Sequence, residues 1–219
     1  MNNGTTEIKR KTRSLKVISL LEKKYPKARI ALNYGNSLEL LVATILSAQC
    51  TDERVNRVTE TLFKKYRSAK DYAKADLAVL EMDVRPTGFF RNKAKNIKHS
   101  AQMIVEKFNG QVPETMEELV QMPGVARKTA NIVLQNAYGV VEGIAVDTHV
   151  RRISSRLGLT DNEDPDKIEQ DLMRIVPKKD WMKITDLLIT LGRNVCVARK
   201  PKCDMCVLNK ICPSAFTFN

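Results

Sequence analysis

The chain of 219 residues is long enough for one large domain or two small ones, and an apolar share of 43% supports a packed core and excludes a low-complexity chain. No apolar run approaches the roughly 18–20 residues of a membrane span, and the opening MNNGTTEIKRKTRSLK lacks the apolar stretch of a secretory signal, so a soluble intracellular protein without a membrane partner is expected. The formal net charge of +12 and pI near 9.5 attract polyanions, of which nucleic acid is the commonest in a cell; a basic surface that only keeps the protein soluble has the same composition.

The apolar spacing predicts helices throughout. The first runs through Leu15, Ile18, Leu20 and Leu21 with a basic flank. The next places Leu38, Leu41, Val42, Ile45 and Leu46 on one face, with Asn36 or Ser37 as N-cap. A third uses Val55, Val58, Leu62, Phe63 and Tyr66. A fourth, after Asn92, uses Ala94, Ile97, Ala101, Ile104, Val105 and Phe108 and stops at Gly110. Thr115 and Glu118 form a capping box for a short helix ending at Met122. Ala130, Val133, Leu134, Ala137 and Tyr138 make the next face, closed by Gly139. Asp164-Pro165 starts a helix with Ile168, Leu172, Ile175 and Val176 inward, and Asp180 caps the last long one, from Trp181 to Gly192. With no alternating strand pattern and no hairpin dipeptide, the fold class is all-α.

Four of the five cysteines lie near the end of the chain, as Cys196-x6-Cys203-x2-Cys206-x5-Cys212. Four thiolates in so short a loop can converge on one metal centre, and Zn²⁺ and [4Fe–4S] both accept four cysteine ligands. The spacing is neither the paired C-x2-C knuckles of a zinc ribbon nor the ferredoxin run. Cys50, at the end of an apolar helix, reads as a small core residue.

Gln121 to Gly139, QMPGVARKTANIVLQNAYG, reads as a helix–hairpin–helix, with the Pro123-Gly124 turn and a new helix from about Arg127. Its turn offers backbone N–H groups at the positive end of a helix dipole, a phosphate site indifferent to base sequence. Lys128 falls in the first helical turn, where a cation is disfavoured and a neutral, nucleophilic amine is favoured. The dipole supplies only about 0.3–1 kcal/mol, so lowering the amine to near neutrality needs further desolvation or neighbouring cations. A phosphate contact or a solvated lysine is the plainer reading. In GIAVDTHVRRI, Gly143 to Ile153, the apolar Ile144-Ala145-Val146 delivers Asp147 to the start of a helix. Asp147 is a good N-cap; a carboxylate facing Lys128 can also take a proton or stabilise positive charge developing on a sugar. His149 reads as structural.

Together these segments resemble the endonuclease III family of helix–hairpin–helix DNA glycosylases, over nearly the whole chain. LVATILSAQCTDERVN (Leu41 to Asn56) resembles the family's LSAQ-TD boundary, GFFRNKAKNI (Gly88 to Ile97) its GLYNSKA-like loop, MPGVARKTANIVL the lysine-bearing hairpin and AVDTH the aspartate segment, and the four cysteines match the cluster loop. The resemblance implies two lobes: a six-helix barrel over residues 30–140 and an iron–sulfur lobe from 1–29 with 141–219. It implies Lys128 as nucleophile, Asp147 as assisting carboxylate, and Cys196, Cys203, Cys206 and Cys212 as ligands of [4Fe–4S]. Gln49 would fill the gap left by a flipped base. Phe89 replaces the family's intercalating leucine and can wedge between bases. The hairpin reads Gly124-Val125-Ala126 where the family has GVG, and an alanine tolerates positive φ poorly, so the turn forms most easily if Ala126 is already helical. Gly124, Ala126 and Arg127 are the expected hairpin contacts to DNA; Arg199, Lys200 and Lys202 are candidate phosphate contacts or a solvated charge run.

The implied activity is that of a bifunctional DNA glycosylase and abasic-site lyase of base excision repair. It would act as a monomer on double-stranded DNA carrying oxidised pyrimidines or abasic sites. A prokaryotic cytoplasmic, nucleoid-associated location is expected; the basic Lys9-Arg10-Lys11 and Arg13 leave a nuclear or organellar one open. The rivals are a monofunctional mismatch glycosylase, against which Lys128 argues, a non-catalytic iron–sulfur DNA-binding protein, and a zinc-stabilised DNA-binding module.

Overall fold

A computed structural model describes residues 3–218, and among these there is no strand. The chain divides into two units, Met1–Ile30 with Gly143–Asn219, and Ala31–Glu142. No helix of the described residues is long and apolar enough to cross a membrane.

The middle unit holds α2 (Ser37–Leu46), α3 (Asp52–Lys65), α4 (Ala69–Lys74), α5 (Leu77–Val84), α6 (Phe90–Lys107), α7 (Met116–Leu119) and α8 (Arg127–Val133). The most apolar of these is α2, buried from Leu40 to Leu46. It packs against α3, α6 and α8, while the other side of α6 takes α4 and α5. Asn36 caps α2 by accepting from the Glu39 N–H. The pattern of apolar residues missed α4 and α5, although their caps are written in the chain. Ser68 and Asp71 form a complete capping box and Asp76 caps α5. The Thr115 cap is present but its partner differs from the expected box: the Thr115 hydroxyl donates to the Glu118 carboxylate and accepts the Glu118 N–H. Val105 is 37% exposed, so the inward face of α6 is narrower than its spacing suggested.

The second unit holds α1 (Asn3–Lys24), α9 (Thr148–Arg156), α10 (Pro165–Ile175) and α11 (Trp181–Asn194). The inward residues of α1 are Val17, Ile18 and Leu21 with Ser14, whose hydroxyl donates to the Ile175 carbonyl at 2.8 Å; Leu15 points to solvent at 44% exposure. These pack with Ile153, Leu172, Ile184 and Leu188 into one core. Gly192 lets α11 approach α9 closely, since a Cβ there would stand 2.7 Å from His149 Nδ1 and 3.0 Å from Ile153 Cδ1. Asp180 does not cap α11. It ends a 3-10 turn, makes no side-chain cap, and its carboxylate instead lies 3.7 Å from Lys183 Nζ.

Candidate functional site

The hairpin expected between Gln121 and Gly139 forms. Leu119, Met122 and Val125 are buried and hold the loop from beneath, and Ser100 Oγ donates to the Pro123 carbonyl at 3.0 Å. Gly124 has φ +79 and sits over Asn96, where a Cβ would meet Nδ2 at 2.6 Å. Glycine is therefore required there twice, by backbone sign and by space. Ala126 answers the expected difficulty in an unexpected way. It is neither left-handed nor helical but extended, at φ −85 and ψ 169, as the N-cap of α8, so alanine carries no strain in this turn. Gly124 and Ala126 are exposed, and their N–H groups donate to nothing among the described residues. They are the kind of unsatisfied donors that a phosphate oxygen takes at a helix start. Arg127 and Lys128 are exposed on the same first turn. Beyond Val133 the helix widens into a π turn over Leu134–Tyr138 before Gly139 ends it in the left-handed region.

Two other exposed turns of this unit share an unusual backbone. Gln49, just past α2, has φ 52, and Phe89, at the start of α6, has φ 48. Left-handed conformations of residues other than glycine cost about 1–2 kcal/mol each, and such strain gathers where function holds it. Phe89 leaves 65% of its surface in water, a placement the hydrophobic effect does not account for. Cys50, in the turn beside Gln49, is half-buried rather than part of the core.

In the other unit Asp147 is the N-cap of α9. Its Oδ1 accepts from the N–H groups of His149 at 2.8 Å and Val150 at 2.7 Å. Capping occupies one carboxylate oxygen and fixes the rotamer; Oδ2 takes no hydrogen bond from the described residues. His149 is half-buried and its imidazole is held below its ordinary pKa, by burial first, against the opposing charge of Asp147. Its Nδ1 lies 3.2 Å from the Arg152 guanidinium, one turn further along α9.

The four clustered cysteines line one cavity of about 320 Å³, counted with its open mouth, together with Arg156, Asn209 and Phe218. Among the described residues no group of three or more His, Cys, Asp or Glu side chains is gathered tightly enough to hold a single metal ion. Four thiols around one cavity are a donor set that a [4Fe–4S] cluster accepts. Burial pushes the Cys206 and Cys212 thiols up, and the neighbouring cysteines add to it; a cationic metal centre supplies the charge that thiolates need there.

Two arginines that sequence reasoning passed over clasp the loop. Arg156 donates to Cys196 Sγ at 3.3 Å, the Val197 carbonyl at 2.8 Å and the Ala198 carbonyl at 2.9 Å, and stacks over the Phe218 ring. Arg152 donates to the carbonyls of Gly192 and Cys196. Their signal was the arginine at i and i+4 on the face of α9. Arg199, Lys200 and Lys202 are exposed, and Lys200 turns the chain with φ 51.

With this hairpin and this cysteine-lined loop, the chain is similar to base excision DNA repair proteins. The model of the HhH-GPD superfamily of base excision DNA repair proteins matches residues 42–178, and that of the iron–sulfur binding domain of endonuclease III matches 196–212, from the first clustered cysteine to the last. Endonuclease III of Synechocystis sp. is 53% identical over 206 residues, 94% of either chain. Two solved structures of endonuclease III with DNA, one a non-covalent complex and one a trapped covalent intermediate, each superpose with a TM-score of 0.90. They are 43% identical to the chain over 94% of it and 97% of theirs. The chain belongs to the endonuclease III family. It is a base excision repair DNA glycosylase with the abasic-site lyase activity standard for that family, and it carries a [4Fe–4S] cluster.

Proposed function

We propose that this enzyme removes oxidised, ring-saturated pyrimidines from double-stranded DNA and then breaks the strand at the abasic site, with Lys128 as nucleophile and Asp147 as its assisting carboxylate. The observation that carries the reading is the hairpin: exposed Lys128 in the first turn after two undonated amides at Gly124 and Ala126. A phosphate bound to those amides, beside Arg127, brings the deoxyribose of a neighbouring nucleotide to the lysine. Because a stacked base hides C1′, the nucleotide is extruded first, and a damaged base that stacks poorly costs less to extrude. Phe89 wedges into the stack and Gln49 occupies the vacated place.

The Lys128 amine then attacks C1′ and the C1′–N bond breaks, with its electron pair leaving on the base. Loss of a proton and opening of the sugar give an imine between Lys128 and C1′. The imine acidifies the C2′ proton. Its removal expels the 3′ phosphate by β-elimination, and water releases the lysine. Asp147 stabilises the positive charge that builds on the sugar and takes a proton. Lys128 is exposed and open to the bound nucleotide.

Cys196, Cys203, Cys206 and Cys212 hold the cluster, whose iron–sulfur bonds fix the fold of the loop that presents Arg199, Lys200 and Lys202 to phosphates. The enzyme works as a monomer in the bacterial cytoplasm, on the nucleoid.

Borohydride trapping tests this. Reducing the imine during turnover on thymine-glycol DNA cross-links protein to DNA through Lys128. Lys128→Gln keeps DNA binding and loses base release and cross-linking. Asp147→Asn keeps the cap, since asparagine also caps well, and loses most of the rate. Normal trapping by Lys128→Gln assigns the nucleophile to another amine.

A further inference from the structure

Lys93 is 4% exposed, and the chemistry above gives it no task. Its Nζ donates to the carbonyl of Leu46 and to that of Thr87, both at 2.8 Å. Leu46 is the last residue of α2, where the carbonyls carry the negative end of the helix dipole. Thr87 closes the 3-10 turn Arg85–Thr87 that leads into α6. Gln49 follows Leu46 by three residues, and Phe89 follows Thr87 by two. One ammonium thus bridges the roots of the two turns whose tips hold the left-handed Gln49 and Phe89.

Burying an amine costs stability, and burial does hold the Lys93 pKa below its ordinary value, with the nearby Cys50 opposing. An apolar side chain of similar length would avoid that cost but would leave both carbonyls without this donor, so the amine is kept for the two bonds it makes and not for packing.

We propose that Lys93 is a positioning residue that locks the Gln49 turn to the Phe89 turn, so that wedge and gap-filler enter the duplex in register. It governs extrusion of the base and not the bond-breaking that follows. The proposal rests on the reading of Gln49 and Phe89 as the residues that enter the DNA. Both turns are strained, and a link between their roots keeps them from relaxing independently. An ammonium suits the task because its three donors can hold both carbonyls at once.

The experiment uses the full holoenzyme and two substrates. On a paired duplex containing thymine glycol, single-turnover base release depends on extrusion. On single-stranded abasic DNA, strand cleavage does not. Lys93→Met is expected to slow the first at least tenfold and change the second less than twofold. 2-Aminopurine placed opposite an uncleavable abasic analogue brightens when a wedge unstacks it; that rise is expected to fall in Lys93→Met to the level of Phe89→Ala. The double variant Lys93→Met with Phe89→Ala should lose no more than Phe89→Ala alone. Equal slowing on both substrates, or none on either, overturns the proposal. If Phe89→Ala and Gln49→Ala leave duplex activity and the fluorescence rise intact, the wedge reading itself fails, and the proposal with it. Should Lys93→Met not fold, Lys93→Gln, which keeps an N–H donor, is measured the same way. An intermediate duplex rate with the single-stranded rate preserved supports the proposal, and any other pattern overturns it.

Discussion

Gly124→Ala isolates the energetics of the hairpin. Two separable penalties act on the added methyl. The backbone one is the left-handed φ of +79, about 1–2 kcal/mol for a residue with a Cβ. The steric one is the approach of that Cβ to Asn96, at 2.6 Å from Nδ2 and 3.0 Å from both Cβ and Cγ, close enough that the Asn96 side chain must shift. Forced repacking of this kind costs about 1–3 kcal/mol, so the sum is about 2–5 kcal/mol. Truncating Asn96 to alanine removes Nδ2 and Cγ and leaves only its Cβ in the way. In a urea-unfolding cycle followed by circular dichroism, Gly124→Ala should cost about 2–5 kcal/mol in the parent and about 1–2 kcal/mol less in an Asn96→Ala background. Affinity for abasic-site DNA should recover only in part in the double variant, because the φ change turns the amides whatever Asn96 does. A Gly124→Ala protein within about 0.5 kcal/mol of the parent, the scatter of a neutral surface change, would refute the geometry. So would equal costs in both backgrounds.

Asp186 offers a pH-dependent test: burial raises its carboxyl from the usual 3.8 to about 6, with Arg193 opposing. Between those values the folded protein binds more protons than the unfolded one, so this residue's contribution to stability falls as pH rises from about 4 through about 6. Asp186→Asn should therefore gain stability relative to the parent as pH rises from about 4 to about 6, by up to about 3 kcal/mol at ~1.36 kcal/mol per pH unit, read as a growing difference in melting temperature; a difference independent of pH would contradict this. Arg156→Met removes the bonds to Cys196 Sγ and the Val197 and Ala198 carbonyls, costing about 2–3 kcal/mol. Loss of iron to a chelator, followed by visible absorbance, should be severalfold faster, and an unaltered rate would mean that Arg156 does not support the loop. Changing Arg199, Lys200 and Lys202 to alanine should lower the log–log salt slope of DNA binding by up to about 0.9 for each phosphate left without its cation. An unchanged slope would place that loop outside the DNA interface.

Sequence alone determined the helical class, most helix starts and the hairpin, because each rests on local physics: a 3.6-residue apolar period, a capping side chain, a Pro-Gly turn. The cysteine quartet was legible for the same reason, being four ligands within one short loop. Where two local signals competed, the sequence misled. Asp180 stands where a cap belongs but ends a 3-10 turn, and Leu15 fits the apolar period of α1 yet faces water. Tertiary structure decided what depends on residues distant in sequence. Ala126 is extended because it is the N-cap of α8, a position fixed by where that helix starts. Lys93 looked like one more basic residue of α6 until the carbonyls of Leu46, 47 residues away, and Thr87 were brought to it. The guanidiniums of Arg152 and Arg156 became supports of the cysteine loop only when α9 packed beside a segment some 40 residues onward. Hydrogen-bond partners and burial belong to the folded chain, since both are set by which surfaces exclude water together.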